Sequence, residues 1–119
     1  MKTKNLTQSE KMLIMRLRMG MSQRHFAWTY YIGRSTYVEI ERGNLSFNDY
    51  LHVKVSVENF FMWNPNIYDH EVCLIGRRRY DLTQKQMARF LGKSTNWVSL
   101  MELGEVDCTD YVERILSEY

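Results

Sequence analysis

The hydrophobic pattern is most regular between Leu82 and Gly104, where it predicts two short helices. Met87, Ala88 and Leu91 fall on one face of the first helix at helical spacing. A glycine ends that helix, and a serine two residues later can cap the second, whose apolar residues point back at the first. Two helices that cross steeply over a turn of about three or four residues need a small side chain at the crossing, which Ala88 supplies. The pattern therefore predicts a helix-turn-helix.

A second copy of this pattern lies earlier in the chain. When the sequence is shifted by 61 residues, residues 21–43 align with the first stretch without a gap, and Gln23 meets Gln84. The register also holds outside the motif, where Arg16 meets Arg77. A repeat of this extent indicates a duplicated domain and not a shared loop motif. We therefore predict a mainly α-helical protein with two tandem helix-turn-helix units.

The expected division of the chain is a first unit at residues 1–59, an apolar joint at 60–66 and a second unit at 67–119. A single domain of this size would bury only about 60% of its unfolded surface, so the two units should pack on each other as an internal pseudo-dimer. The joint lacks the Gly, Ser and charged residues of a flexible linker. We therefore expect the joint to be buried.

Residues 50–58 fit two different structures. Their apolar residues alternate with polar ones, which by periodicity alone favours a β-strand. The repeat aligns them instead with residues 109–119, whose pattern is helical. We predict a fourth helix in each unit and keep a short strand at 50–58 as the alternative.

Composition indicates a globular intracellular protein. The chain has 45% hydrophobic residues and one proline, which excludes a disordered chain. Its two cysteines, Cys73 and Cys108, lack the spacing of a metal site or a redox motif, which favours reduced thiols. The start of the chain has no signal-peptide pattern, and no apolar run is long enough for a membrane span. We therefore expect a cytoplasmic protein with no membrane contact.

Residues that could carry out catalysis are scattered along the chain. The three histidines lie far apart in sequence, no glycine-rich phosphate loop is present, and the carboxylates show no recognisable site spacing. We expect no enzyme activity, no cofactor and no metal site.

The stretch from Leu82 to Gly104 contains Leu-Thr-Gln, then Ala, then Leu-Gly followed by a serine, then Glu and Gly. At this spacing it resembles the motif of the Xre/Cro family of phage and plasmid repressors. The resemblance implies a domain that binds double-stranded DNA through the second helix of the motif. A chain with two such domains and little else also resembles the small TraN-type regulators of Gram-positive conjugative plasmids.

The resemblance also implies two structural ion pairs. In the family, an arginine of the first helix pairs, largely buried, with the acid that ends the recognition helix. This assigns Arg16 to Glu41 in the first unit. It assigns Arg77 to Glu102 in the second. Loss of one partner would leave a buried charge, at a cost of about 3 to 5 kcal/mol. The alternative is that all four are solvated surface charges.

Side chains that would read bases lie in the first turn of each recognition helix, because that turn reaches the base edges of the major groove. They are Arg34, Ser35 and Thr36 in the first unit and Thr95, Asn96 and Trp97 in the second. Side chains at the start of the preceding helix would hold phosphates without reading sequence. They are Ser22, Gln23, Arg24, Thr83, Gln84 and Lys85. The alternative for each set is a solvated helix face.

Basic charge is concentrated in the first half of the chain. Through Asn59 the chain has nine Lys or Arg residues and five acids, whereas the remainder has seven and nine. Because nonspecific affinity for DNA comes mainly from basic charge, the first unit should be the stronger DNA reader.

These patterns lead to one functional hypothesis and one alternative. The hypothesis is a double-stranded DNA-binding transcriptional regulator, a repressor of a plasmid or phage operon, which acts as a monomer with an internal pseudo-two-fold or as a weak homodimer. The alternative is a protein-interaction or nonspecific DNA-binding accessory protein, for example of conjugative transfer. In that alternative, Trp97, Leu100 and Tyr111 of the second unit hold a partner. Exposed aromatic side chains on the second reading helix would favour it.

Overall fold

The computed structural model describes residues 6–116 of the chain, and these residues form eight α-helices, one short 3-10 turn and no β-strand. In chain order the helices are α1 Gln8–Arg18, α2 Gln23–Thr29, α3 Arg34–Glu41, α4 Leu51–Trp63, α5 Asp69–Arg79, α6 Gln84–Leu91, α7 Thr95–Glu102 and α8 Thr109–Leu116. The 3-10 turn, Phe47–Asp49, precedes α4. The prediction of a mainly α-helical protein is confirmed.

Two compact units divide the chain, residues 1–66 and residues 67–119. The helices α1 to α4 belong to the first unit, and α5 to α8 belong to the second. Each unit therefore has the same order of helices, in which a long first helix is followed by two short ones and a closing helix.

The segment that fits two structures by sequence forms α4, so the strand alternative is wrong. A pattern that alternates every two residues also recurs every four residues, which is close to the repeat of a helix. Val53, Val57 and Phe61 follow that spacing and are buried. The remaining apolar residues of the alternating pattern, Leu51 and Val55, face solvent and are 65% and 52% exposed.

The apolar joint expected at 60–66 differs from the observed structure. Its residues up to Trp63 form the last turn of α4 and belong to the first unit. Phe61 is 5% exposed, whereas Met62 and Trp63 are 70% and 82% exposed, so the segment is not buried as a whole. The helix ends where the Asn64 side-chain amide donates to a carbonyl of the last turn at 2.8 Å, ahead of a proline that cannot continue it.

The first unit is built around α1, which contacts α3 and α4, while α2 packs on α3. Large side chains from all parts of this unit are fully buried: Met12, Phe26, Tyr37, Ile40, Phe47 and Val53. A capping box begins α1, because the Thr7 hydroxyl accepts from the Glu10 backbone N–H and the Glu10 carboxylate accepts from the Thr7 backbone N–H. The last turns of α1 then bring Arg16 to α3.

The second unit repeats these contacts, with α5 against α7 and α8 and with α6 packed on α7. Its core consists of Cys73, Met87, Ala88, Leu91, Val98, Met101 and Cys108. Gly92, which ends α6, has a left-handed backbone with φ of +69°. Both cysteines are free and buried, and burial raises the pKa of each thiol above its ordinary value. The two thiols are therefore protonated packing groups at neutral pH.

Candidate functional site

A buried ion pair joins α1 to α3 in the first unit. The Arg16 Nε donates to Glu41 Oε2 at 3.1 Å, and its Nη2 donates to Oε1 at 3.2 Å. The remaining guanidinium nitrogen, Nη1, donates to the Met21 carbonyl at 3.0 Å. The side chains of Arg16 and Glu41 are only 13% and 5% exposed. Each nitrogen of the guanidinium group therefore has a partner, which is what a buried cation needs.

The second unit contains the same arrangement 61 residues later. The Arg77 Nε donates to Glu102 Oε2 at 2.6 Å, and its Nη2 donates to Oε1 at 3.1 Å. Its Nη1 donates to the Leu82 carbonyl at 2.9 Å. The two side chains are 18% and 6% exposed. The structure thus places both arginine–glutamate pairs inside their units and not in solvent.

A glutamine completes this network in each unit. The Gln23 Nε2 donates to Glu41 Oε1 at 3.1 Å, and the Gln84 Nε2 donates to Glu102 Oε1 at 3.0 Å. From the sequence we predicted that both glutamines contact DNA phosphates, but in the structure their amide nitrogens donate to the buried carboxylates. The physical reason is that a bidentate arginine leaves acceptor capacity on the carboxylate, which a further donor can fill. We call the three residues of each unit the Arg–Gln–Glu network.

Tyr37 joins the network of the first unit only. Its hydroxyl donates to Glu41 Oε2 and accepts from Arg16 Nε at 3.0 Å. Burial, together with the bond to Glu41, raises the pKa of Tyr37 above its ordinary value. Burial would raise the pKa of Glu41, but hydrogen bonds from Arg16 and Tyr37 outweigh it and lower that pKa. The equivalent position in the second unit is Val98, which is buried and apolar.

The predicted base-reading residues lie in the first turns of α3 and α7. Arg34 and Ser35 are exposed, whereas Thr36 is half-buried. In the second unit Thr95 and Asn96 are likewise exposed. Both first turns therefore offer polar side chains to solvent.

Trp97 differs from the other predicted readers because it packs within its own unit. Its ring meets the Tyr111 ring edge to face, with 5.2 Å between ring centroids. The Lys93 ammonium lies 5.2 Å from the Trp97 centroid and 5.7 Å from the Tyr111 centroid. Trp97 is also half-buried and packed against the core of the second unit. The structure thus gives Trp97 and Tyr111 a packing role that the sequence did not predict.

The predicted phosphate ligands other than the two glutamines divide into helix caps and exposed cations. The Ser22 hydroxyl accepts from the His25 N–H at 3.0 Å, and the Thr83 hydroxyl accepts from the Gln86 N–H at 3.1 Å. Both side chains therefore begin their helices. By contrast, Arg24 and Lys85 are exposed to solvent.

An open concavity of about 520 Å³ brings several of the predicted residues of the first unit together. It is lined by Ser22, Arg24, His25, Ala27, Trp28 and Arg34. None of these six residues is acidic, and two are arginines. The sequence predicted Arg24 and Arg34 as separate phosphate and base contacts, and the structure places them on the same concavity. His25 and Trp28 were not predicted as site residues.

Tyr31 is a further surface feature that the sequence analysis did not identify. It lies in the turn between α2 and α3, is 88% exposed and has a left-handed backbone with φ of +57°. The repeat aligns it with Gly92, which has the same backbone conformation at φ of +69°. The alignment with a helix-ending glycine is the sequence signal for this feature. A bulky aromatic residue is rare in the left-handed conformation that such a glycine adopts. Trp28, one turn earlier in α2, is 77% exposed.

Comparison with known proteins adds no relative: no family model, no curated protein and no solved structure matches this chain. Within residues 6–116, no helix is long and apolar enough to cross a membrane. The same residues hold no group of three or more His, Cys, Asp or Glu side chains arranged as metal ligands. The structure is a mainly helical protein of two units, in each of which a buried Arg–Gln–Glu network holds the end of a helix whose first turn is polar and exposed.

Proposed function

We propose that the chain is a double-stranded DNA-binding transcriptional regulator made of two tandem Xre/Cro-type helix-turn-helix units. The observation that carries this proposal is the Arg–Gln–Glu network. In both units it ties the end of α3 or α7 to the first helix, with bond lengths of 2.6 to 3.2 Å. A helix held this way at its far end presents its first turn outward at a fixed angle, which a reading helix requires.

The connection between the two short helices of each unit supports the same proposal. The turns comprise residues 30–33 and 92–94, which are short enough to force a steep crossing. Ala27 and Ala88 sit in the helices before these turns and are 2% and 3% exposed. Small buried side chains at these two positions allow the helices to approach closely in both units.

The exposed side chains of the first turns have the chemistry of base recognition. Arg34 can donate two hydrogen bonds to guanine, and Asn96 can pair with adenine. Arg24 and Lys85 then serve as phosphate contacts, since both are exposed cations at the start of the preceding helix. We assign Gln23 and Gln84 to the buried network in preference to phosphates.

Two readers in one chain act as an internal pseudo-dimer in this proposal, and the DNA site consists of two half-sites. The resemblance to the Xre/Cro family supplies the proposed target, an operator of a plasmid or phage operon at which the bound protein represses transcription. The alternative function in protein interaction requires exposed aromatic side chains on α7. Trp97 is half-buried and packs on Tyr111 instead, so its ring does not project freely from α7 as that alternative requires.

Gel shifts over a series of salt concentrations test the proposal. The probe is duplex DNA from upstream of the coding sequence of this protein, with a scrambled duplex as control. We expect binding that weakens steeply with salt, because several Lys and Arg side chains displace condensed counterions. Absence of a shift on either duplex at low salt would refute the proposal.

A further inference from the structure

One face of the first unit has a composition that duplex binding does not require. We call it the aromatic–cationic face and define it by Arg24, His25, Trp28, Tyr31 and Arg34. Trp28 and Tyr31 are 77% and 88% exposed, so neither ring contributes to the core. Except for Tyr31, these residues line the open concavity of about 520 Å³, and the Tyr31 backbone N–H donates to the Trp28 carbonyl at 3.3 Å.

The backbone at Tyr31 favours a role for its side chain outside the fold. A left-handed backbone strains any residue with a Cβ, and least of all glycine. The second unit uses Gly92 at the equivalent turn position, with nearly the same φ. Because the ring of Tyr31 is almost fully exposed, packing does not offset the strain. Strain of this kind in a native structure points to a functional constraint.

The second unit provides a natural comparison for this face. The positions equivalent to Trp28 and Tyr31 are Arg89 and Gly92, so the aromatic pair is missing there. Thr95 replaces Arg34, which also removes one cation. The aromatic–cationic face is therefore a property of the first unit and not of the repeat.

We propose that the aromatic–cationic face binds single-stranded DNA. Proteins that hold single strands combine cations that follow the phosphates with aromatic rings on which bases stack. Trp28 and Tyr31 supply the rings, and Arg24 and Arg34 supply the cations. In duplex DNA the faces of the bases are stacked on one another and only their edges reach the grooves, so exposed rings have no base to stack on. This inference goes beyond the proposed function: it gives Arg24 and Arg34, the proposed duplex contacts of the first unit, a second ligand, and single-strand binding can be measured whether or not the chain binds duplex DNA.

Binding of a fluorescently labelled oligothymidylate of about 12 nucleotides tests the inference, a length within the usual site size. Fluorescence anisotropy of the full chain with this probe should show saturable binding that weakens with salt. Trp28→Ala and Tyr31→Gly should each weaken it roughly 5- to 160-fold, as expected for loss of one stacked base. Binding should also quench the tryptophan fluorescence of the chain, and Trp28→Ala should remove that quenching.

Arg89→Ala is the matched control, since it changes the equivalent position of the second unit and should alter affinity for the probe less than threefold. Tyr31→Gly should keep or raise the melting temperature, so its loss of binding cannot come from unfolding. The inference is overturned if both aromatic variants bind the probe like the original chain, or if the probe does not bind at low salt. Equal losses on a duplex of the same length would also overturn it, because the rings would then be duplex contacts. A preference for the matching oligoribonucleotide would overturn the assignment to DNA.

Discussion

The two units of this chain keep the same buried network and differ in what surrounds it. Arginine, glutamine and glutamate occupy equivalent positions in both, with nearly the same hydrogen bonds. Around them the first unit has Tyr37 in the network, Tyr31 with a left-handed backbone in the turn and the exposed Trp28 on α2. The second unit has Val98, Gly92 and Arg89 at those positions. The comparison teaches that the network is what the fold requires, whereas the outer face is free to acquire separate binding properties.

The largest expected effect concerns the network that the units share. Glu41→Ala and Glu102→Ala should each lower the free energy of unfolding of their own unit by about 3 to 5 kcal/mol, because each leaves a buried guanidinium without its partner. Urea denaturation checks this prediction. Glu39→Ala is the control, since Glu39 forms an exposed pair with Arg42 at 3.3 Å and accepts an exposed hydrogen bond from Asn44 at 2.9 Å. Its loss should cost less than about 1 kcal/mol. Equal costs for Glu39→Ala and Glu41→Ala would contradict a structural role for the network.

The next effect concerns Tyr37, the group that distinguishes the first network from the second. Tyr37→Phe removes a hydrogen bond to the Glu41 carboxylate, which should cost about 1.5 to 3 kcal/mol at neutral pH. Thermal unfolding of both proteins at neutral pH measures this loss. A Tyr37→Phe variant as stable as the original chain would mean that the hydroxyl contributes nothing.

Alkaline pH sharpens the same comparison. Burial and the bond to Glu41 raise the pKa of Tyr37 above its ordinary value of 10 in the folded state. The stability from this hydroxyl is therefore fully present below about pH 10 and is lost as pH rises toward the raised pKa. The original chain should lose more stability above about pH 10 than the Tyr37→Phe variant does. Identical pH profiles for the two proteins would contradict this prediction.

The sequence predicts the helices because they depend on spacing, whereas the two ion pairs follow from the resemblance to the Xre/Cro family. Apolar residues at helical intervals mark the core, and the 61-residue repeat places each arginine at the same distance from its glutamate. The sequence could not decide the structure of 50–58, because its alternation fits a strand and also a helix that buries every fourth residue. The repeat decided correctly in favour of a helix, which the structure extends to Trp63.

Other features of the site depend on contacts that spacing does not encode. Gln23 and Gln84 lie where a polar side chain can face either solvent or the interior. Their orientation depends on the distance to the buried carboxylate, which the sequence does not contain. Nothing in the sequence around Trp97 predicts that its ring packs against Tyr111. Exposed residues such as Trp28 follow no periodicity, so the sequence gives no signal for them.

The predicted readers of the two units can be compared directly by binding. Arg34→Ala should weaken binding to a specific duplex by about 1 to 3 kcal/mol, because it removes a base contact. Asn96→Ala tests in the same way whether the second unit makes a base contact. Gel shifts on specific and scrambled duplexes measure both, and the loss should be smaller on the scrambled duplex. A large effect of Arg34→Ala with none from Asn96→Ala would show that only the first unit reads sequence.

The smallest expected effect concerns the turns. Tyr31→Gly should stabilise the first unit by up to about 1 kcal/mol, since glycine relieves left-handed strain but gains chain entropy when unfolded. Asp81→Gly is the matched change in the second unit, where Asp81 has φ of +55° and its equivalent in the first unit is Gly20. It should stabilise less, because aspartate tolerates this conformation better than tyrosine does. Thermal melts of both variants check the order, and a destabilising Tyr31→Gly would contradict it.

Footprinting of the full chain on the duplex that lies upstream of its coding sequence tests the central proposal most directly. Light scattering of the same sample gives the number of chains in solution. Two helix-turn-helix readers in one chain predict that a monomer protects two short sites on one face of the duplex, about one turn or ~34 Å apart. A single protected half-site per chain, or protection that requires a dimer reading through its first units alone, would contradict the account.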